Sequence, residues 1–181
     1  MASRLLLTGA PGVGKTTVVR AVASALPGLG LGGFCTEEIR AGRDRQGFTL
    51  VTFDGRRALM ADAQRPGSPR VGRYGVDVGV IDAIARSELA PREETDLYLV
   101  DEIGRMECLS PEFVRAMRTL LDAPMPVVAT IGRGGGGFMD EVRRRRDVTL
   151  WEITRANRDD MPAQVRSWIE RHAKRARPGG A

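Results

Sequence analysis

Short apolar runs alternate along the chain with segments whose apolar residues recur at helical spacing. The apolar runs at residues 4–8, 31–39, 97–100, 126–131 and 148–151 have the length and composition of buried strands. Helical spacing is found at 16–26, 80–89, 111–121 and 158–175, and a short helix is expected between 138 and 145. This alternation predicts an α/β fold with a mainly parallel central sheet and helices on both of its faces.

Residues 40–60 depart from this alternation. Residues 48–53 are β-prone, Asp54-Gly55 is a strong hairpin signal, and residues 57–60 can form the return strand. We expect a β-hairpin inserted at the edge of the sheet, followed by a surface loop over 61–75. Nothing in the pattern divides the chain, so residues 1–175 are expected to form one domain and 176–181 a flexible tail.

A glycine-rich motif lies between the first predicted strand and the first predicted helix. Gly9, Ala10, Pro11, Gly12, Val13, Gly14, Lys15 and Thr16 match the phosphate-binding pattern G-x-x-x-x-G-K-[ST]. Glycines allow successive backbone N–H groups to point at a phosphate, and the positive end of the following helix faces the same anion. The motif predicts that Lys15 contacts the β- and γ-phosphates, that Thr16 binds Mg²⁺, and that Thr17 donates to the α-phosphate.

Two adjacent acids follow the predicted strand at residues 97–100. Because open α/β sheets bind ligands at the carboxyl ends of their strands, Asp101 is expected to hold Mg²⁺ together with Thr16. Glu102 is expected to orient or deprotonate the water that attacks the γ-phosphorus. Thr130, at the end of the next strand, either places its hydroxyl near the γ-phosphate or bonds its own backbone.

Arginine is the expected source of positive charge for the transition state. Arg143 opens a run of four arginines, residues 143–146, just after the glycine-rich loop 132–137, and such a run is also typical of a solvated face. Arg105, just past Glu102, is a second candidate.

The overall charge first suggests a nucleic-acid partner, because the formal net charge is +5. Four of these charges, however, belong to Arg171, Lys174, Arg175 and Arg177 in the last eleven residues, which contain no acid. The remaining chain is nearly neutral, so nucleic acid is not the expected partner.

Other classes of protein are disfavoured by composition. No apolar run approaches the ~20 residues of a membrane span, and three consecutive leucines are too few for a signal-peptide core. Cys35 and Cys108 form no close-spaced pair, which argues against a zinc site or a disulfide framework. We expect a cytoplasmic protein without a membrane partner, and by default a monomer.

These motifs resemble those of a known family, the small P-loop nucleoside-triphosphatases first described from thermophiles, which have a human cancer-related member. The resemblance rests on residues 9–17, 33–40, 47–48, 71–74, 101–107, 129–131 and 157–159. It implies a RecA-like sheet and Mg²⁺-dependent hydrolysis of ATP, GTP and other nucleoside triphosphates to the diphosphate and phosphate.

The resemblance also implies particular nucleotide-contacting residues. Besides the glycine-rich motif, these are Leu97, Tyr98, Leu99, Val100, Asp101, Glu102, Ile103 and Gly104. Asn157 and Arg158 match a C-terminal motif that lies near the base. Arg105 stands where the family commonly has Lys, and loop 132–137 is shorter than in the human relative.

Three functional hypotheses therefore remain at the level of sequence. The first is a Mg²⁺-dependent nucleoside-triphosphatase. The second is a nucleotide or small-molecule kinase that uses the same phosphate site, with Glu102 orienting an acceptor hydroxyl and the hairpin forming an acceptor pocket. The third is a nucleic-acid-associated triphosphatase whose basic tail binds the phosphate backbone.

Overall fold

The computed structural model describes residues 4–67 and 69–176, without the side chains of 174–176. In this part of the chain the strands are β1 (Arg4–Gly9), β2 (Leu31–Ala41), β3 (Asp44–Thr52), β4 (Arg57–Asp62), β5 (Arg70–Val71), β6 (Tyr74–Val76), β7 (Leu97–Ile103), β8 (Val127–Ile131) and β9 (Val148–Ile153). The helices are α1 (Lys15–Ser24), α2 (Val78–Glu88), α3 (Pro111–Asp122), α4 (Gly137–Arg143) and α5 (Met161–Ala176), with a 3₁₀ helix at Glu107–Leu109.

All of these strands belong to one sheet, in the order β5-β6-β4-β3-β2-β7-β8-β1-β9. The half from β2 to β9 is parallel, whereas every pairing from β2 outward to β5 is antiparallel. The expectation of a mainly parallel sheet is therefore wrong for the outer half. The physical reason is that β2 runs past the edge of the parallel half and pairs there with β3.

Helices cover both faces of the parallel half, as expected for an α/β fold. Alternate residues of β1 point to opposite faces, so that Leu5 and Leu7 pack in one core and Leu6 in the other. Helices α1 and α5 pack on the Leu5 side, through residues such as Val19 and Ile169. Helices α2, α3 and α4 close the core on the Leu6 side.

The hairpin prediction is confirmed, since β3 and β4 pair antiparallel across the Asp54-Gly55 turn. The predicted loop 61–75 is wrong in part, because residues 70–71 and 74–76 form the short strands β5 and β6. They meet at a turn in which Gly72 has a φ of 56°. Strands of two and three residues are too short to leave a periodic pattern in the sequence.

Helix α3 begins as its sequence predicts. Ser110 accepts a hydrogen bond from the Phe113 backbone N–H, and Pro111 occupies the first turn. At the other end of the chain, α5 continues to Ala176, and the rest of the predicted tail, 177–181, lies outside the described residues. Within the described residues, the structure contains no helix that is long and apolar enough to cross a membrane.

Candidate active site

The carboxyl ends of the parallel strands meet at the start of α1 and form one side of a large cleft. Strand β1 ends at Gly9, residues 10–14 turn sharply, and α1 begins at Lys15. The turn requires glycine, because Gly12 and Gly14 have φ values of 74° and 115°. A side chain at Gly9 would come within 2.7 Å of the Ile153 carbonyl oxygen. The cleft above this loop has a volume of about 1010 Å³.

Lys15 folds back over the loop that precedes it. Its Nζ donates a hydrogen bond to the Gly9 carbonyl at 3.3 Å and lies 3.9 Å from the Glu102 Oε2. The side chain is only 11% exposed, so the ammonium group is held inside the cleft rather than in bulk water. The residues predicted to bind phosphate and to activate water are therefore neighbours.

Asp101 lies at the end of β7 and is almost completely buried. Its Oδ1 accepts a hydrogen bond from the Thr130 hydroxyl at 2.7 Å, and its Oδ2 accepts one from the Thr36 backbone N–H at 3.3 Å. Burial raises the pKa of Asp101, while hydrogen bonds from Thr130 and Thr16 oppose the increase. Thr130 thus contacts the acid rather than its own backbone, because β8 lies between β1 and β7.

The two residues predicted to hold Mg²⁺ are neighbours in the cleft, since Thr16 helps to oppose the increase in the pKa of Asp101. Carboxylate and hydroxyl oxygens are hard ligands, and Mg²⁺ commonly takes only one or two carboxylates together with substrate phosphates. A divalent cation would also keep the buried Asp101 ionised. The donor set therefore fits Mg²⁺.

A second pair of acids flanks Gly104. A side chain at Gly104 would lie 2.9 Å from the Glu102 Oε1 and 2.6 Å from the Glu107 Oε2. Burial raises the pKa of Glu102, and the positive charge of Lys15 opposes this increase. Glu107 is more deeply buried, and burial together with the charge of Glu102 raises its pKa to about 8.

The two candidate arginines have different surroundings. Arg105 is exposed and lines the cleft. Arg143 instead pairs with Asp140 at 2.7 Å and donates hydrogen bonds to the carbonyls of Gly132 and Gly134. Arg143 therefore stabilises the loop 132–137, and its side chain does not line the cleft.

The two predicted base-side residues lie after β9. Asn157 accepts a hydrogen bond from the Thr154 backbone N–H at 2.8 Å and donates to the Glu152 carbonyl at 2.9 Å. The Arg158 Cδ lies 4.0 Å from the position of a Cβ on Gly14. Asn157 thus shapes the turn, whereas Arg158 lies beside the turn at residues 10–14. A smaller cavity of about 230 Å³ is lined by residues 10–13 and by Thr154.

Not every predicted nucleotide contact faces the cleft. The side chains of the β7 interior are buried in the two cores; they are Leu97, Tyr98, Leu99, Val100 and Ile103. Sequence reasoning assigned no role to Thr36 or Glu107, although both lie in the stretches that carry the family resemblance. Their contacts with Asp101 and Glu102 depend on tertiary structure, and only that resemblance pointed to them.

An α/β sheet with a glycine-rich loop, a lysine and paired acids at its carboxyl edge defines a protein of the α/β nucleoside-triphosphatase class. The chain belongs to the NTPase family, whose model matches residues 4–166. It is therefore an enzyme of the nucleoside-triphosphatase type.

Relatives in distant organisms support this assignment. The chain is 37% identical over 168 residues to the nucleoside-triphosphatase THEP1 of Thermotoga maritima, covering 92% of this chain and 95% of the relative. It is 35% identical over 181 residues to the cancer-related nucleoside-triphosphatase homolog of Bos taurus, covering 91% and 95%.

Solved structures are also similar. The crystal structure of THEP1 from Aquifex aeolicus matches with a TM-score of 0.84 at 33% identity, covering 92% of this chain and 99% of that one. The solution structure of a human cancer-related nucleoside triphosphatase matches with a TM-score of 0.77 at 31% identity, covering 94% and 98%.

Proposed function

We propose that this enzyme hydrolyses nucleoside triphosphates, including ATP and GTP, to the diphosphate and phosphate in a Mg²⁺-dependent reaction. The observation that carries the proposal is the approach of the Lys15 ammonium to the Glu102 carboxylate, 3.9 Å apart at the mouth of the loop. A γ-phosphate bound by Lys15 would therefore lie beside a carboxylate that can accept a proton from water.

The glycine-rich loop and the first turn of α1 bind the triphosphate in this proposal. Backbone N–H groups of residues 10–16 and the N-terminal end of α1 provide positive potential for the phosphate oxygens. Lys15 adds a full charge to the β- and γ-phosphates, and Thr17, which lines the cleft, donates to the α-phosphate.

Thr16 and Asp101 would hold Mg²⁺ at the same edge of the sheet. When bound, the metal supplies positive charge to the phosphate oxygens. Thr130 and Thr36 keep the Asp101 carboxylate in one orientation by donating to its two oxygens. This support matters because a carboxylate already held in one orientation would need little rearrangement to bind Mg²⁺.

Glu102 acts as the general base. Water attacks the γ-phosphorus and passes its proton to the Glu102 carboxylate, while the bond to the β–γ bridging oxygen breaks and the diphosphate leaves with that oxygen. Burial raises the pKa of Glu102, which makes its carboxylate a better proton acceptor than a solvated one. Arg105, exposed at the mouth of the cleft, neutralises charge that develops on the γ-phosphoryl group.

Replacing Glu102 with glutamine tests this assignment. Glu102→Gln keeps the size of the side chain but removes its basicity, so phosphate release is expected to fall by at least ~100-fold. Binding of a fluorescent triphosphate analogue should persist, because the loop and Lys15 are unchanged. The measurements are phosphate release at saturating nucleotide and a fluorescence titration.

Glu94→Gln is the matched control, because Glu94 is an exposed acid outside the cleft. Its phosphate release should equal that of the wild type. Normal release by Glu102→Gln would remove Glu102 from the mechanism, and loss of nucleotide binding by that variant would assign it a binding role instead.

A further inference from the structure

The cleft extends well beyond the phosphate loop, to the β2–β3–β4 sheet. We call this extension the outer compartment and define it by Arg40, Arg45, Phe48, Met60, Val71 and Met106, all of which line the cleft. The whole cleft, at about 1010 Å³, reaches the upper end of the ~300–1,000 Å³ that encloses one drug-sized ligand. The loop, Lys15 and the paired acids occupy only its inner end.

The outer compartment contains an aromatic ring, that of Phe48. Phe48 is only partly buried, and its ring lies 5.2 Å from that of Tyr74 in an edge-on arrangement. The Arg45 guanidinium lies 5.5 Å from the centre of the Phe48 ring. Val71 and Met106, both partly buried, add apolar surface. Aromatic, sulfur-containing and guanidinium groups together suit a planar heterocycle, which can pack against all three.

Positive charge exceeds negative charge on the neighbouring wall. The Glu38 carboxylate is shared by Arg40 and Arg45, and the Glu37 carboxylate is shared by Arg20 and Arg57.

Of these four guanidinium groups, those of Arg20, Arg40 and Arg45 line the cleft together with the two carboxylates, which leaves an excess of one positive charge on this wall. In addition, the Arg45 Nε is shielded from solvent and has no hydrogen-bond partner among the described residues. This wall suits an anionic phosphate group.

Two irregularities in the strands lie at this compartment. The pairing of β2 with β3 shifts between Ile39 and Arg40, and that of β3 with β4 shifts between Phe48 and Thr49. Such bulges redirect side chains and are frequent beside active sites. Both shifts involve a residue that lines the compartment, so the local distortion of the sheet and the composition of the pocket coincide.

The compartment opens onto the carboxylate that activates water. Met106 and Glu107 come four and five residues after Glu102 and line the same cleft. On the other side, Thr36 donates to Asp101 and is followed in β2 by Glu37 and Glu38. A ligand in the outer compartment would therefore share one continuous cleft with Lys15 and Glu102.

We propose that the outer compartment binds a nucleoside monophosphate, which accepts the γ-phosphoryl group in place of water. The base packs on Phe48, and the phosphate group is held by Arg40 and Arg45. An oxygen of the monophosphate forms a bond to the γ-phosphorus, the bond to the β–γ bridging oxygen breaks, and any proton on the attacking phosphate passes to Glu102. One triphosphate and one monophosphate thus yield two diphosphates. This inference rests on the proposed triphosphate site.

The test follows a label on the γ-phosphate. Wild-type enzyme is incubated with Mg²⁺ and γ-labelled ATP, alone and with AMP, GMP, CMP or UMP, and the products are separated by thin-layer chromatography. Because the γ-label reaches a diphosphate only by transfer, labelled diphosphate is the specific product. We expect it to form with at least one monophosphate and to saturate with concentration, at the expense of released phosphate.

Two pairs of variants locate the acceptor. Phe48→Ala should raise the KM for the monophosphate by about 10-fold or more, because stacking on an aromatic side chain is lost. Its control, Leu59→Ala, removes an exposed apolar side chain of the same hairpin outside the cleft.

Arg45→Gln should raise the KM for the monophosphate by a similar factor. Its control, Arg57→Gln, breaks an ion pair with Glu37 but does not alter the lining of the cleft. All four should release phosphate normally from ATP alone.

The outcomes separate this inference from the proposed function. Absence of labelled diphosphate with every monophosphate overturns the inference, as does transfer that is equally fast in Phe48→Ala, Arg45→Gln and the wild type. The proposed hydrolysis fails instead if ATP alone releases no phosphate. Labelled diphosphate formed with a monophosphate would in that case still support the binding of the monophosphate in the outer compartment. Nucleosides without phosphate and inorganic phosphate alone are run as further acceptors. Transfer to a nucleoside at the rate seen with the monophosphate would contradict the phosphate contact with Arg40 and Arg45. Transfer to inorganic phosphate at that rate would contradict the contact of the base with Phe48.

Discussion

Glu107 is an acid of the site whose pKa is raised into the physiological range. It is buried beneath Gly104, close to Glu102, and its pKa is raised to about 8 from an ordinary value of 4.5. The protonated form is therefore favoured in the folded enzyme, whereas the unfolded chain loses this proton near pH 4.5. Between these values the folded state binds the extra proton, so stability must decrease as the pH rises.

Glu107→Gln should remove this contribution. Without nucleotide, the free energy of unfolding of the wild type should fall relative to that of the variant as pH rises from about 4.5 to 8, by up to ~1.4 kcal/mol per unit. Above pH 8 the difference should become constant. Urea unfolding at a series of pH values measures it. Glu170→Gln, at an exposed helical position, is the control, and parallel curves for wild type and Glu107→Gln would contradict the assignment.

Sequence motifs identify the charged centre of the site better than the residues around it. Lys15, Thr16 and Asp101 were predicted because each occupies a defined place after a strand or within a glycine pattern. The roles of Thr130 and Arg143 could not be predicted, since their partners, Asp101 and the loop carbonyls, are set by the packing of elements distant in sequence. Whether the predicted residues perform the assigned chemistry stays a prediction.

Strand β2 is the element that joins the two halves of the sheet. It pairs parallel with β7 over Leu31 to Phe34 and antiparallel with β3 from Phe34 onward. At Gly33 the chain has a φ of 95°, and a side chain there would overlap the Leu99 carbonyl. The close approach of β2 to β7 therefore depends on glycine, and it sets the position of Thr36 next to Asp101.

Gly33→Ala tests this dependence at the level of the element. Gly42→Ala is the matched control, because Gly42 also has a positive φ, 61°, but open space around it. The control should lose about 1–2 kcal/mol of stability from backbone strain alone. Gly33→Ala should lose a further ~1–3 kcal/mol from overlap with β7. Urea denaturation measures both, and equal losses would show that β2 can move away from β7 without cost.

Element types were predicted more reliably than their arrangement. Apolar runs and helical spacing identified the strands and helices of the parallel half, and Asp54-Gly55 identified the hairpin. The antiparallel pairing of β2 with β3 was missed, because the alternation of polar and apolar residues in 38–41 predicts a strand but does not show which strand it pairs with, or in which direction. Pairing of such a segment is decided by its neighbours in the sheet rather than by its own sequence.

At the scale of the whole molecule, one buried arginine connects the sheet to the C-terminal end of helix α3. Arg4 opens β1 and is 2% exposed. It donates hydrogen bonds to the carbonyls of Leu121 and Ala123, where α3 ends, and its Nε lies 3.6 Å from the Asp147 carboxylate that precedes β9. Cations at a helix C-terminus satisfy carbonyls that have no partner within the helix.

Arg4→Met should destabilise the protein by about 2–3 kcal/mol, because it leaves the Ala123 carbonyl without its side-chain donor and leaves the Leu121 carbonyl with only the hydrogen bond from Arg145. For a chain of this size the expected decrease in Tm is roughly 5–10 °C, measured by calorimetry. Arg146→Met, at an exposed position, should change stability by no more than ~0.5 kcal/mol. A wild-type Tm in Arg4→Met would mean that other groups, or water, satisfy the carbonyls.

The position of Lys15 has a consequence for the chemistry of the whole protein. The chain contains 28 Lys plus Arg, yet only Lys15 and Lys174 are lysines. An amine-selective reagent therefore has two side-chain targets, one inside the cleft against the Gly9 carbonyl and Glu102 and one near the end of the chain. The ratio of label at these two positions, measured by mass spectrometry, should therefore report the fraction of molecules in which the proposed triphosphate site is occupied.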